Sequence, residues 1–228
     1  AANAPEGRDT DFSWKQFQSR TNDELADILG NFINRTLTFI HKYAEGTVPA
    51  RGKLHEADQS MLREIGRVRD EMAEGFDGFE VRKTVQRFMS FCRAANKYFN
   101  DTEPWKTRKE DPERCGTTLN VCAQTVLVMG MLMEPVMPSA SGKILSMLNY
   151  SGSRTWDSIG TDELTPGHLL GKTEILFSKI PDEIIEEQIA GLAGVRAGEG
   201  EKDPGEGMVA IDRFQELDIR TGRVVYAE

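Results

Sequence analysis

The chain is short of the residues that metal and covalent chemistry use. Its 228 residues include three histidines and three cysteines. His41, His55 and His168 are scattered, so their spacing suggests no metal site. Cys92, Cys115 and Cys122 form no C-x-x-C pair and are odd in number. That pattern fits reduced, mostly buried thiols in a cytoplasmic protein better than a disulfide framework. No charged start leads into an apolar run near residue 1, so no signal peptide is expected. The most apolar stretch, VCAQTVLVMGMLMEPVM, is broken by Gln124, Gly130 and Pro135. It looks too short to span a bilayer and suggests a buried helix. Strand-like alternation is missing before residue 205, and no repeat appears. What is present is an ordinary globular composition, 39% hydrophobic and 29% charged.

The net charge of −9 argues against a nucleic-acid partner only until its distribution is mapped. Residues 157–217 hold fourteen acids against five bases, which accounts for the whole excess. In the balanced remainder, VRKTVQRFMSFCRAANKYFN (81–100) carries Arg82, Lys83, Arg87, Arg93 and Lys97 and no acid. That run leads into FNDTEPWKTRKEDPE (99–113), where Trp105 follows Pro104 among charges. A basic helix beside an exposed aromatic is the pairing that single-stranded nucleic acid needs. Two plainer readings stand beside it: a solvated helix face, and a loop tryptophan folded back onto the core.

Helical periodicity organises the first two thirds. Residues 1–12 are small and polar and are expected to be loose. Ser13 is a plausible N-cap for a short helix over Trp14–Ser19, and Asn22 for a longer one ending at Gly46. In that longer helix Leu25, Ile28, Leu29, Phe32, Ile33, Leu37 and Ile40 recur at helical spacing. A third helix is predicted from about Asp58 to Ala73, followed by a turn at Gly75 and Gly78. The basic helix comes next, then a long apolar helix with Pro112 in its first turn, ended by Pro135. A short helix over 138–149 opens at Ser139 or Ser141. This predicts an all-α, up-and-down bundle over 13–150. Residues 151–195 read as an irregular segment plus an acidic helix that Pro181 starts. A charged glycine-rich linker follows at 196–207, and residues 208–228 end in a strand-like run.

Within the second helix, Asn31 and Arg35 stand four apart on one face. Asn offers a donor and an acceptor, and Arg a planar fork of donors, so the pair suits the edge of an unstacked base. Taken alone, the pair also suits an ordinary polar helix face.

Together these pieces resemble the anticodon-binding region of the methionyl-tRNA synthetases. The resemblance rests on DELADILGNFINRTLTF (23–39), YFNDTEPWK (98–106), MEPVMPSASGKI (133–144) and ILFSKIPDEIIEEQI (175–189). It spans about residues 11–190 and implies the helical anticodon-binding fold of class I synthetases. It also implies that Asn31, Arg35 and Trp105 bind the CAU anticodon of methionine tRNA. Arg93, Lys97, Lys106 and Arg108 are the candidate contacts to the tRNA backbone. Asp27, a turn before Asn31, would either orient Arg35 or repel phosphate. FQELDIRTGRVVYAE (214–228) resembles the opening strand of the tRNA-binding OB domain that some members append.

The family's ATP-site signatures, His-x-Gly-His and Lys-Met-Ser-Lys-Ser, occur nowhere in the chain. The resemblance therefore implies a piece of a ligase, itself catalytically inactive and without a cofactor. The parent enzyme would use ATP and Mg²⁺ to join methionine to tRNA. The implied partners are methionine tRNA and the catalytic domain of the same enzyme, with no membrane and no DNA. In the family, the region around 175–189 runs back toward that catalytic body; here it could equally pack on the bundle. Two alternatives stay open: the corresponding domain of another class I synthetase, such as the valine or cysteine enzyme, and a helical scaffold without an RNA role.

Overall fold

The computed structural model describes residues 12–198, with side chains described as far as residue 191. Ser13 caps α1 (Trp14–Ser19), its Oγ accepting from the Gln16 N–H at 3.4 Å. The helix does not restart at Asn22. It runs on through a π-helical segment, Arg20–Gly30, into α2 (Asn31–Tyr43). Asn22 cannot act as a cap because its side chain is committed elsewhere. It donates to the Ile180 carbonyl at 2.9 Å and accepts the Ile180 N–H at 2.8 Å.

The π segment is widened by bonds to the fifth residue back, the Asn31 N–H reaching the Ala26 carbonyl. Two residues make that backbone tolerable. A Cβ at Gly30 would lie 3.0 Å from the Leu25 carbonyl oxygen and 3.5 Å from the Phe177 ring. Asn96, from the basic helix, donates to the Ile28 carbonyl at 2.9 Å.

The helix α3 (Glu56–Asp77) starts earlier than the periodicity predicts, because His55 and Asp58 form a reciprocal cap. It also ends later. Gly75 lies inside it, not in the turn, since Thr84 Oγ1 fills the place a Cβ would need. Gly78 and Phe79, the latter at φ 58°, make the turn into α4 (Val81–Asp101). Then comes α5 (Pro104–Glu110), a short helix where a loop was predicted. Pro104 supplies its first residue, after Glu103 in the left-handed region at φ 43°.

Helix α6 (Pro112–Leu132) is the centre of the fold, packed against α2, α3, α4 and α7. Its 21 residues are enough to cross a bilayer, contrary to the reading of its length. Burial accounts for its composition, since 94% of its most apolar stretch is inside the protein. Helix α7 (Pro138–Met147) opens at Pro138 rather than at either serine. Among the described residues there is no strand, only an isolated antiparallel bridge between Thr47 and Leu169.

The irregular segment is pinned to the bundle by side chains that satisfy its backbone. Gln124 donates to the Leu164 carbonyl at 2.7 Å and accepts its N–H at 3.1 Å. Arg51 reaches Asn120, Asp162 and the Thr161 carbonyl. His168 meets the Leu148 carbonyl at 2.7 Å. Among the described residues, 12–185 belong to one compact unit. A second begins at Glu186, and its described part is the remainder of α8 (Asp182–Gly198). Residues 196–198 of the predicted linker belong to α8; the rest of the linker and residues 208–228 lie outside the described residues. All three cysteines are buried free thiols.

One buried charge joins three helices. Asp58, fully buried in α3, accepts Arg114 of α6 bidentately at 2.5 and 2.7 Å. It also accepts the Tyr98 hydroxyl of α4 at 2.5 Å and the His55 N–H at 2.7 Å. Burial alone would push the Asp58 carboxyl up. The bonds from Arg114, Tyr98 and His55 outweigh it and hold the group below its ordinary 3.8. A depressed folded pKa stabilises the protein above the unfolded value, and that stabilisation is lost as pH falls through the folded one. Arg114→Met should cost about 3–5 kcal/mol near neutral pH, because it leaves a buried carboxylate unpaired. Denaturant unfolding of wild type and Asp58→Asn from pH 7 down to pH 2 checks the sign. The gap between them should close below pH 4, and a constant gap would show that Asp58 is not charged in the fold.

Candidate nucleic-acid interface

From Asn31 onward, α2 carries a row at four-residue spacing: Asn31, Arg35, Phe39 and Tyr43. These side chains share one helix face. Asn31 is exposed, and Arg35, Phe39 and Tyr43 are partly buried. Helix α4 meets that row with Phe99, which is 1% exposed. Phe99 lies edge-on to Phe32 at 6.5 Å and to Phe39 at 5.6 Å. The Trp105 ring lies 6.1 Å from Phe99, and Phe39 is 5.0 Å from Tyr43. The result is an aromatic row running from Trp105 through Phe99 and Phe39 to Tyr43.

Two guanidinium groups sit on that row. The Arg35 carbon is 4.5 Å from the Phe99 centroid and 5.9 Å from that of Trp105. Arg35 also donates to Asn100 Oδ1 at 3.0 Å. The Arg108 carbon lies 4.3 Å over Tyr43, and its Nε donates to the Trp105 carbonyl at 3.3 Å. Stacking on rings keeps these cations ordered while leaving most of their N–H donors unspent. Trp105 is half-buried: one side packs on the core and the rest meets solvent. The core reading and the stacking-platform reading of this residue therefore each hold in part, because the ring is anchored and still partly exposed.

Of the sequence-predicted residues, Arg35 and Trp105 are brought together, and Asn31 stands exposed a turn away on the same face. Asp27 is engaged by Lys179 at 2.7 Å, whereas Arg35 is held by Asn100. Asp27 lies in the π segment, before α2 begins at Asn31. An open groove of about 390 Å³ lies between the π segment and α4. Asp27, Ile28, Arg93, Asn96, Lys97, Asn100 and Asp101 line it.

Three of the four proposed backbone contacts are already paired with acids. Arg93 is 3.5 Å from Glu24, Lys97 is 2.6 Å from Asp101 and Lys106 is 2.7 Å from Glu103. The Lys97 and Lys106 pairs are exposed and weak, so a phosphate could displace their acids, whereas Glu24 is half-buried and also takes Arg20 at 2.8 Å. Other cations of the basic helix are committed to structure. Arg87 is shared by Glu64 and Glu71 of α3, and Lys83 by Glu80. Sequence reasoning missed Phe99, Phe39, Tyr43 and Asn100. The four-residue spacing from Arg35 to Phe39 and Tyr43 was a signal for two of them; Asn100 had none.

The helical bundle belongs to the anticodon-binding class of the class I synthetases, as the family matches show. Residues 48–197 match the family described as the anticodon binding domain of methionyl tRNA ligase, and residues 1–37 match class I tRNA synthetases (M). The chain belongs to the methionyl-tRNA synthetase family. It is 41% identical to the methionine–tRNA ligase of Phocaeicola vulgatus and 39% identical to that of Porphyromonas gingivalis. Each alignment covers 100% of this chain and 34% of the relative, so the chain spans about a third of their length. The free-state structure of Mycobacterium tuberculosis methionyl-tRNA synthetase superposes with a TM-score of 0.71 at 31% identity. That match covers 75% of this chain and 35% of the other.

Arg35 beside the Trp105 ring, with Arg108 bonded to the Trp105 carbonyl, predicts a local bias toward anions. In a Trp14→Phe, Trp156→Phe protein, iodide should quench Trp105 fluorescence more than caesium does at equal concentration. Added salt should shrink the difference. Stronger quenching by caesium would place Arg35 away from the ring.

Proposed function

We propose that this chain binds the anticodon stem and loop of methionine tRNA and reads the CAU bases with Asn31, Arg35 and Trp105. The observation that supports it most is the Arg35 guanidinium, held over Phe99 and beside Trp105 at an open face of the bundle. Anticodon bases are unpaired, so they can be splayed out, stacked on an aromatic and read on their edges. Trp105 supplies the stack. Arg35 supplies direction: a guanidinium fork matches two adjacent acceptors, and only cytosine carries two side by side on its Watson–Crick edge. Asn31, with a donor and an acceptor, suits the mixed edges of the other bases. Arg93, Lys97 and Lys106 would meet phosphates once their acid partners yield, and Arg108 from its place over Tyr43.

In the longer enzyme this domain would position tRNA for a catalytic body that joins methionine to it in the cytoplasm. ATP and Mg²⁺ belong to that body. The residues here do not fit them: neither ATP signature is in the chain, and among the described residues no three His, Cys, Asp or Glu side chains form a metal-binding group. Residues 175–182 lie on the bundle through Asn22, Asp27 and Gln18. The exposed Phe12, Phe17 and Ile184 nearby give the catalytic body an apolar face to cover. Residues 208–228 would open an appended OB domain.

Binding of stem-loops with CAU and with single-base changes, at two salt concentrations, tests the reading. Trp105→Ala should weaken every loop alike, by roughly 1–3 kcal/mol, because every base has a face to stack. Arg35→Ala should weaken the CAU loop most and narrow its advantage, above all over a loop with the cytosine replaced. An unchanged advantage with a shallower salt slope would make Arg35 a phosphate contact. Unchanged binding by folded Trp105→Ala would return that ring to the core.

A further inference from the structure

We propose that Asn100 is a positioning residue for anticodon discrimination, acting by holding the Arg35 guanidinium in its reading orientation. This rests on the base-reading role of Arg35 proposed above.

Arg35 is fixed by two contacts of different kinds, from consecutive residues of α4. The Phe99 ring lies under the guanidinium plane at 4.5 Å, and Asn100 Oδ1 takes one edge at 3.0 Å. The ring restrains tilt but leaves the group free to spin in its own plane. The Asn100 bond removes that spin, so together they set where the remaining donors point. A guanidinium has no acceptor, so the amide oxygen must be the atom facing Arg35. Its two N–H donors are then turned away from the cation.

The choice of amide over acid matters electrostatically. A carboxylate at this position would hold Arg35 at least as firmly but would cancel the charge facing RNA. The surroundings already hold as much acid as base, with Asp27 and Asp101 against Arg93 and Lys97 along the same groove. Asn100 is exposed and touches the guanidinium from outside the core, so its loss does not open a cavity. Arg35 bears the chemistry, and Asn100 bears only its direction.

The test is a double-mutant cycle with CAU and single-base-changed stem-loops, unfolding midpoints serving as the folding control. Asn100→Ala should reduce the CAU advantage on the order of tenfold, in line with losing a hydrogen bond to a charged group. In an Arg35→Ala background the same change should leave that advantage where it was. Asn100→Asp keeps the acceptor, so it should keep the CAU advantage while binding every loop more weakly. If Arg35→Ala destroys the advantage and Asn100→Ala does not, the positioning role is overturned and the reading role stands. Equal losses from Asn100→Ala in both backgrounds overturn it too, by making Asn100 a direct contact. An advantage untouched by Arg35→Ala overturns the reading role and the positioning role together.

Discussion

The buried carboxylate of Asp58 is the constraint on which the functional end of this bundle depends. It ties the first turn of α3, the last turns of α4 and the first turn of α6 to one point. A buried charge in that position is costly unless its partners stay in place, so the three helix ends cannot drift independently. Phe99 and Asn100 directly follow Tyr98, and α5 with Trp105 is strung between Tyr98 and Arg114. The platform and the stacking ring therefore inherit the rigidity of an ion pair that touches neither. Pairs of this kind are weak evidence for stability, but breaking one leaves a buried charge unpaired, so the geometry around it is held.

Charge along the chain and charge in space tell different stories here. The acid-free run 81–100 looks like a continuous basic face. In the fold, the acids of α3 claim Arg87, Glu80 claims Lys83, and the groove beside α4 is balanced. What remains near the site is a small set of cations held against rings. Such an arrangement favours selectivity over indiscriminate affinity, since broad positive faces bind any phosphate chain alike. It also fits a protein with an overall charge of −9.

The π-helical segment carries Asp27, which pairs with Lys179 at 2.7 Å. Gly30 and Asn96 make that backbone tolerable, the first by having no side chain and the second by satisfying a carbonyl. Asn22, at the other end of the segment, anchors the strap at Ile180.

The sequence by itself determined the all-α bundle and the order of its long helices, and it put Asn31 and Arg35 on one helix face. Helical periodicity needs only neighbours along the chain, and the spacing of Asn31 and Arg35 defines a face before anything folds. It also supported the buried character of α6, though not the reason for it. Only the tertiary structure decided that Trp105 sits on a short helix, that Asn22 is a bracket and not a cap, and that Gly75 serves a close approach. It alone paired the basic helix with α3 and set Asn100 against Arg35, 65 residues away. The reason is common to all of these. Caps, spacings and hydrophobic stripes are local, whereas a side chain that satisfies a distant backbone or a distant charge is chosen by where the helices meet, and no periodicity records that.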